Sequence, residues 1–266
     1  MNIALGIAAG SLLLAAFFRI LERAAGRTPA WHGTIALWLG LVAALVAMLM
    51  TSGQKAAASA GFSLPLAVQI AGFMLAGICG WLEWRSGETF FSLFVLPVAA
   101  ALLGLAALVE KLLLGSHFSG PWFFLHVGFS IAGECLFFMA ALAGATYLFA
   151  LKRLKEKNRV RAVSFFPPLL RLEKLMIRFL NGGCILFAIG LAAGFAWSWL
   201  QFAVFDPLEP KKGLSTLVLL GFGGVSVATR AGRLSGPRVA WGVIGGFLLS
   251  MFVVLGIDSS MHWYPK

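Results

Sequence analysis

Residues 123–150 read FFLHVGFSIAGECLFFMAALAGATYLFA, and residues 151–161 directly after them read LKRLKEKNRVR. An α-helix rises about 1.5 Å per residue, so about 20 apolar residues cross the roughly 30 Å of hydrocarbon in a bilayer. The first stretch exceeds that length. It carries one carboxylate, Glu134, and one imidazole, His126, and beyond the hydroxyls of Ser130, Thr146 and Tyr147 is apolar. The helix of a soluble protein keeps a polar face, and this one has none. The stretch that follows holds six basic residues in eleven, as a segment emerging at the cytoplasmic surface does. The fold is therefore decided here: a membrane-spanning helix with a basic cytoplasmic extension.

Working outward, comparable apolar runs recur near 2–18, 31–51, 62–82, 89–110, 177–198, 214–229 and 239–257. The expected fold class is all-α, a polytopic integral membrane helical bundle of about eight transmembrane helices. It forms a single transmembrane domain over 1–266, with N-terminal spans in 1–115 and a second half over 120–266. The whole composition agrees, since 60% of the 266 residues are hydrophobic, 12% are charged and the mean hydropathy is +0.92. A soluble domain of this size needs more charge to cover its surface. Met1 to Phe18 lacks a basic leader and a small-residue cleavage site, which predicts a retained first span.

The net charge of +11 reflects loop asymmetry rather than a nucleic-acid partner. With the N-terminus outside, all but Lys55, Lys111, Lys211, Lys212 and Lys266 of the 21 basic residues fall on the inner side. Cytoplasmic loops carry this excess, so both termini are expected to face outward. Trp122, Trp199 and Trp263 then mark the outer interface, and Trp31, Trp84 and Trp241 the inner one. In the 152–175 loop, Pro167-Pro168 ends the extended helix, and Leu169 to Ile177 restarts as an amphipathic segment. Its basic residues suit anionic lipid, with a partner complex as the alternative.

Cys79, Cys135 and Cys184 lie in apolar runs without metal or redox spacing. No G-x-x-x-x-G-K, H-E-x-x-H or G-x-S-x-G pattern occurs, and Gly221-Phe-Gly223-Gly224 reads as close helix packing inside a span. No catalytic residue is expected. Two histidines draw attention. His126 opens the fifth span and His262 follows the last one, which places both at the outer surface. Between them lies an aromatic loop containing Trp199, Phe202 and Phe205. Two imidazoles beside flat rings suit an iron porphyrin, whose iron takes axial nitrogens and whose faces stack on aromatics. An interfacial histidine is more commonly an ordinary polar tip, and that reading stands beside the first. His32, next to Trp31, is expected to be interfacial, and His117 to be a loop residue. Glu134 stands two turns, about 12 Å, deeper than His126 on what is expected to be one helical face. There it would look into the same pocket or bond between helices.

The second half resembles the cytochrome c assembly family of membrane proteins, in its CcsA and HemX-like branch. The resemblance rests on Leu125-His126-Val127 opening a span that ends in Tyr147-Leu-Phe-Ala-Leu-Lys-Arg153, on Pro167-Pro-Leu-Leu-Arg-Leu172, on Gly190-Leu-Ala-Ala-Gly194, on Asp206-Pro207-Leu208-Glu209, and on Gly256 with His262. It covers roughly residues 120–266. It implies haem held at the outer face, with His126 and His262 as iron ligands and Trp199, Phe202, Phe205, Asp206, Pro207 and Glu209 forming the loop. It also implies a second membrane assembly component as partner and a bacterial cytoplasmic membrane as location. Ala203 and Phe205 stand where the family has tryptophan, and Leu208 where it has lysine. In the seventh span, Val227-Ala228-Thr229-Arg230 lacks a histidine that the family often carries. The alternative is a haem-free scaffold or regulatory factor that binds a partner complex through the basic loop.

Overall fold

The computed structural model describes residues 3–24, 31–57, 64–109, 120–155, 166–202 and 210–256. They form eight helices, each long and apolar enough to cross a membrane, and no strand occurs among them. The protein is multi-pass. The helices fall into two compact units, Met1–Ser119 and Gly120–Lys266.

The N-terminal unit holds α1 (Ile3–Ala24), α2 (Trp31–Ala57), α3 (Leu64–Ser86) and α4 (Ser92–Val109). On α1 the residues Leu5, Ala8, Leu12, Ala15 and Arg19 recur every three or four positions and are all buried. That stripe packs on α2 and α4. Gly40 of α2 allows the approach, because a Cβ there would stand 2.8 Å from Leu12 Cδ2. The outward face of α2 carries Ile35, Leu39, Val42 and Leu49, all exposed. A helix that is apolar on both its packed and its exposed side has lipid as its solvent. Between α3 and α4 the chain turns at Gly87, whose φ of 64° closes α3 by donating its N–H to Glu83 O at 2.8 Å. Glycine adopts this left-handed cap without a steric penalty.

The C-terminal unit holds α5 (Pro121–Lys155), α6 (Leu169–Phe202), α7 (Pro210–Arg230) and α8 (Gly236–Gly256). The most extensive packing joins α5 to α6. The two run antiparallel, as a series of pairs shows: His126 with Gly190, Gly133 with Phe187, and Phe137 with Gly183. Added Cβ atoms at Gly133 and Gly183 would meet Phe187 at 2.8 Å and the Phe137 ring at 2.6 Å. Membrane helices lack a hydrophobic drive toward one another, so close backbone approach through small residues carries much of their association. α8 packs along α5, with Val243 against Gly144, and α7 against α8, with Phe222 at Gly246. Phe137 and Phe222 stack at 3.8 Å between centroids in the middle of the bundle.

Several helices run past the expected span ends, and two of these extensions change the reading. The amphipathic segment expected at 169–177 is not separate, since Leu169–Phe202 is one helix of 34 residues. No proline interrupts it, and Leu172, Met176 and Leu180 extend the buried stripe of the span. Its apolar face therefore packs inside the unit rather than on lipid. Arg19, assigned to an inner loop, belongs instead to the buried face of α1 at 2% exposure.

Candidate functional site

The candidate site lies where α5 begins and α6 ends. The His126 ring sits against α6, and its Nδ1 is 2.7 Å from Gly190 O. A carbonyl oxygen can only accept, so Nδ1 carries the proton and the lone pair belongs to Nε2. Metal-binding histidines are commonly fixed this way, with one nitrogen donating to a backbone carbonyl and the other serving as ligand. Space for the ring comes from Gly194, where a Cβ would stand 2.6 Å from Nδ1 and 2.8 Å from Cε1. The spacing of Gly190 and Gly194, one helical turn, thus supplies both the acceptor and the gap.

Aromatic rings continue outward from this point. Phe123, three residues before His126, lies 5.1 Å from the Trp197 ring. Trp199 is 56% exposed and is free to stack on a planar ligand. Ser198, on the turn between these tryptophans, is buried and receives a hydrogen bond at 2.9 Å from Lys212 Nζ of α7. That ammonium lies 6.0 Å from the centre of the Phe195 ring. Lys212 was counted in the sequence only as an outer charge. Its lysine-at-helix-start position gave no sign that it folds back onto α6.

Of the other expected site residues, Phe202 ends α6. Phe205, Asp206, Pro207, Glu209, His262 and the loop residue His117 lie outside the described residues. His32 belongs to the N-terminal unit, where its ring centre is 4.1 Å from that of Trp31 and 5.9 Å from that of Phe18. Glu134 does not share His126's neighbour. Eight residues at about 100° each bring it some 80° around the helix, and it meets α8, where Ser250 Oγ donates to Oε2 at 2.9 Å. Its Oε1 has no hydrogen-bond partner among the described residues. Among those residues no group of three His, Cys, Asp or Glu side chains gathers to hold a metal ion.

A second polar cluster, missed in the sequence, lies in the N-terminal unit. Arg19 donates from Nε and Nη2 to the two oxygens of Glu83, at 3.3 and 2.7 Å, and from Nη1 to Glu22 at 2.8 Å. Nη2 also reaches Thr34 Oγ1 at 2.8 Å, and Ser92 donates to Glu83. An arginine in an apolar run, Phe17-Phe18-Arg19-Ile20, was the signal available. Its spacing from Leu12 and Ala15 places it on the packed face.

The model of the family described as Cytochrome C assembly protein matches residues 28–263, so the likeness covers α2 to α4 of the N-terminal unit as well as the second half. An uncharacterised 28.8 kDa protein from the nifR3-like 5′ region of Azospirillum brasilense is 25% identical over 138 residues, 52% of this chain. The aligned part spans about half of that protein, 51%. No solved structure matches. The chain belongs to the cytochrome c assembly protein family.

Proposed function

We propose that this membrane protein handles haem for cytochrome c biogenesis, holding it at the outer face of the C-terminal unit with His126 and His262 as the axial pair. The carrying observation is the hydrogen bond from His126 Nδ1 to Gly190 O, which directs Nε2 to ligation. Haem iron accepts such a nitrogen as an axial ligand. The residues present fit the group: an oriented imidazole, the exposed Trp199 ring for its face, and Lys212 nearby as a cation. Phe202, Phe205, Asp206, Pro207 and Glu209 complete the loop in this reading. The protein performs no bond chemistry of its own. It positions haem for a second membrane component that presents the apocytochrome, in a bacterial cytoplasmic membrane with both chain termini outward.

The second reading, a haem-free scaffold, draws support from the exposed basic residues Lys152, Lys155, Lys174 and Arg178 at one end of α5 and α6. These suit anionic lipid or an acidic partner. Haem-staining of covalent c-type cytochromes separates the two in cells carrying either a chromosomal His126→Ala or a change of the four cations to glutamine. Haem handling predicts loss of staining with His126→Ala and near-normal staining with the charge variant. The reverse pattern supports the scaffold.

A further inference from the structure

The N-terminal unit contains a cavity of about 130 Å³ that the haem reading does not use. Arg19, Thr34, Trp38, Gly80, Glu83 and Trp84 line it. This is near the size, about 150 Å³, at which an internal cavity admits a molecule such as benzene. Its floor is charged. Around it, the guanidiniums of Arg19 and Arg23 stand against the three carboxylates of Glu22, Glu83 and Glu88. Of these five groups, Arg19 and Glu83 line the cavity. Glu22 Oε1 is buried without a hydrogen-bond partner among the described residues. Arg85, two residues beyond Glu83, is exposed and does not line the cavity.

The chemistry of the wall selects a cation that donates hydrogen bonds. Arg19 is turned onto Glu22, Glu83 and Thr34, so the floor offers the ligand the acceptor side of this network, the carboxylate of Glu83 and the hydroxyl of Thr34. Two indoles flank it, Trp38 at 49% and Trp84 at 79% exposure. Tryptophan is the best ring for holding an ammonium, and a primary ammonium can also donate to the carboxylate, which a quaternary one cannot. Ile35 and Leu39, next in sequence to Thr34 and Trp38 on α2, are apolar and exposed. Exposed tryptophans at a helix end mark the headgroup level of a bilayer. A lipid headgroup lies at that level.

We propose that this cavity binds the headgroup of a lipid ending in a primary ammonium, such as phosphatidylethanolamine. The ammonium docks between Trp38 and Trp84 onto Glu83 and Thr34.

Native mass spectrometry of the delipidated full chain in detergent tests this. The chain is titrated separately with phosphatidylethanolamine, phosphatidylcholine and phosphatidylglycerol of identical acyl chains. The proposal predicts one retained phosphatidylethanolamine, bound about tenfold more tightly than the choline lipid, equivalent to about 1.4 kcal/mol. Thr34→Val and Trp84→Ala abolish that preference while the helical circular dichroism stays unchanged. Both variants leave the Arg19–Glu83 pair in place, so they remain informative if Glu83→Gln does not fold. Equal retention of the ethanolamine and choline lipids, or preference for phosphatidylglycerol, overturns the proposal. So does free ethanolamine that competes as well as the lipid, which would mark a soluble amine as the ligand.

Discussion

The two units are each built of four apolar helices with close glycine contacts, and the first adds a buried network of ion pairs. The N-terminal unit buries charge: Arg19, Glu83 and their hydroxyl partners tie α1, α2, α3 and the start of α4 together. The C-terminal unit brings backbones together at Gly133, Gly183, Gly190 and Gly194, and the same glycines that permit packing create the seat of His126. The difference teaches where function can be placed. A network of ion pairs holds its members to one another, whereas a glycine-lined contact leaves a gap and a bare carbonyl that a histidine can occupy.

The comparison breaks most visibly at the buried charge. Arg19→Leu leaves Glu83 buried without its partner and is expected to destabilise the N-terminal unit by about 3–5 kcal/mol. Arg19→Leu combined with Glu83→Leu should recover most of that loss, as read by thermal unfolding in detergent. Equal damage from the single and double changes would show that the pair is not the source of the stability. At Gly183, alanine forces its Cβ against the Phe137 ring, and overpacking of this kind costs about 1–3 kcal/mol. Gly104→Ala on α4, where the added Cβ meets nothing within 4 Å, should leave the melting temperature unchanged or higher. Matching losses at Gly183 and Gly104 would refute the assignment of tight glycine contacts to one site and open space to the other.

Gly194→Ala is a finer probe, because its Cβ meets the His126 ring rather than a helix backbone. Loss of a partner that orients a metal-binding histidine typically lowers affinity by about 10–100-fold. The expected outcome is such a drop in haem affinity, followed by absorbance titration, with little change in unfolding. The smallest effect concerns Glu134. Ser250→Ala removes its one described hydrogen bond, and interhelical bonds of this kind in membranes average about 0.6 kcal/mol. A shift of several kcal/mol would reveal a larger network around Glu134.

Much of the architecture was legible in the chain. All eight helices were, because apolar length is a direct consequence of bilayer thickness and the interruption at Pro167-Pro168 is a strong local signal. The ends of α1 and α6 were less so. Arg19 and the 169–177 stretch look like loop or surface residues until their buried faces are aligned with the neighbouring helices. At the candidate site, His126 was legible as an imidazole at a span's start. Its carbonyl partner was not, since Gly190 is 64 positions away and a backbone acceptor leaves no mark on residue type. Of the two readings of Glu134, the bond between helices is the one seen, to Ser250 of α8.

The central claim is that the outer end of the C-terminal unit is a bis-histidine haem site. The absorbance spectrum of the purified full chain, oxidised and dithionite-reduced, tests it most directly when wild type is set beside His126→Ala and His262→Ala. The account predicts a Soret band with sharp reduced α and β bands in wild type, weakened in each variant and restored in part by added imidazole. A wild-type protein that takes up no haem when it is supplied, or variants whose spectra match the wild type, would contradict it.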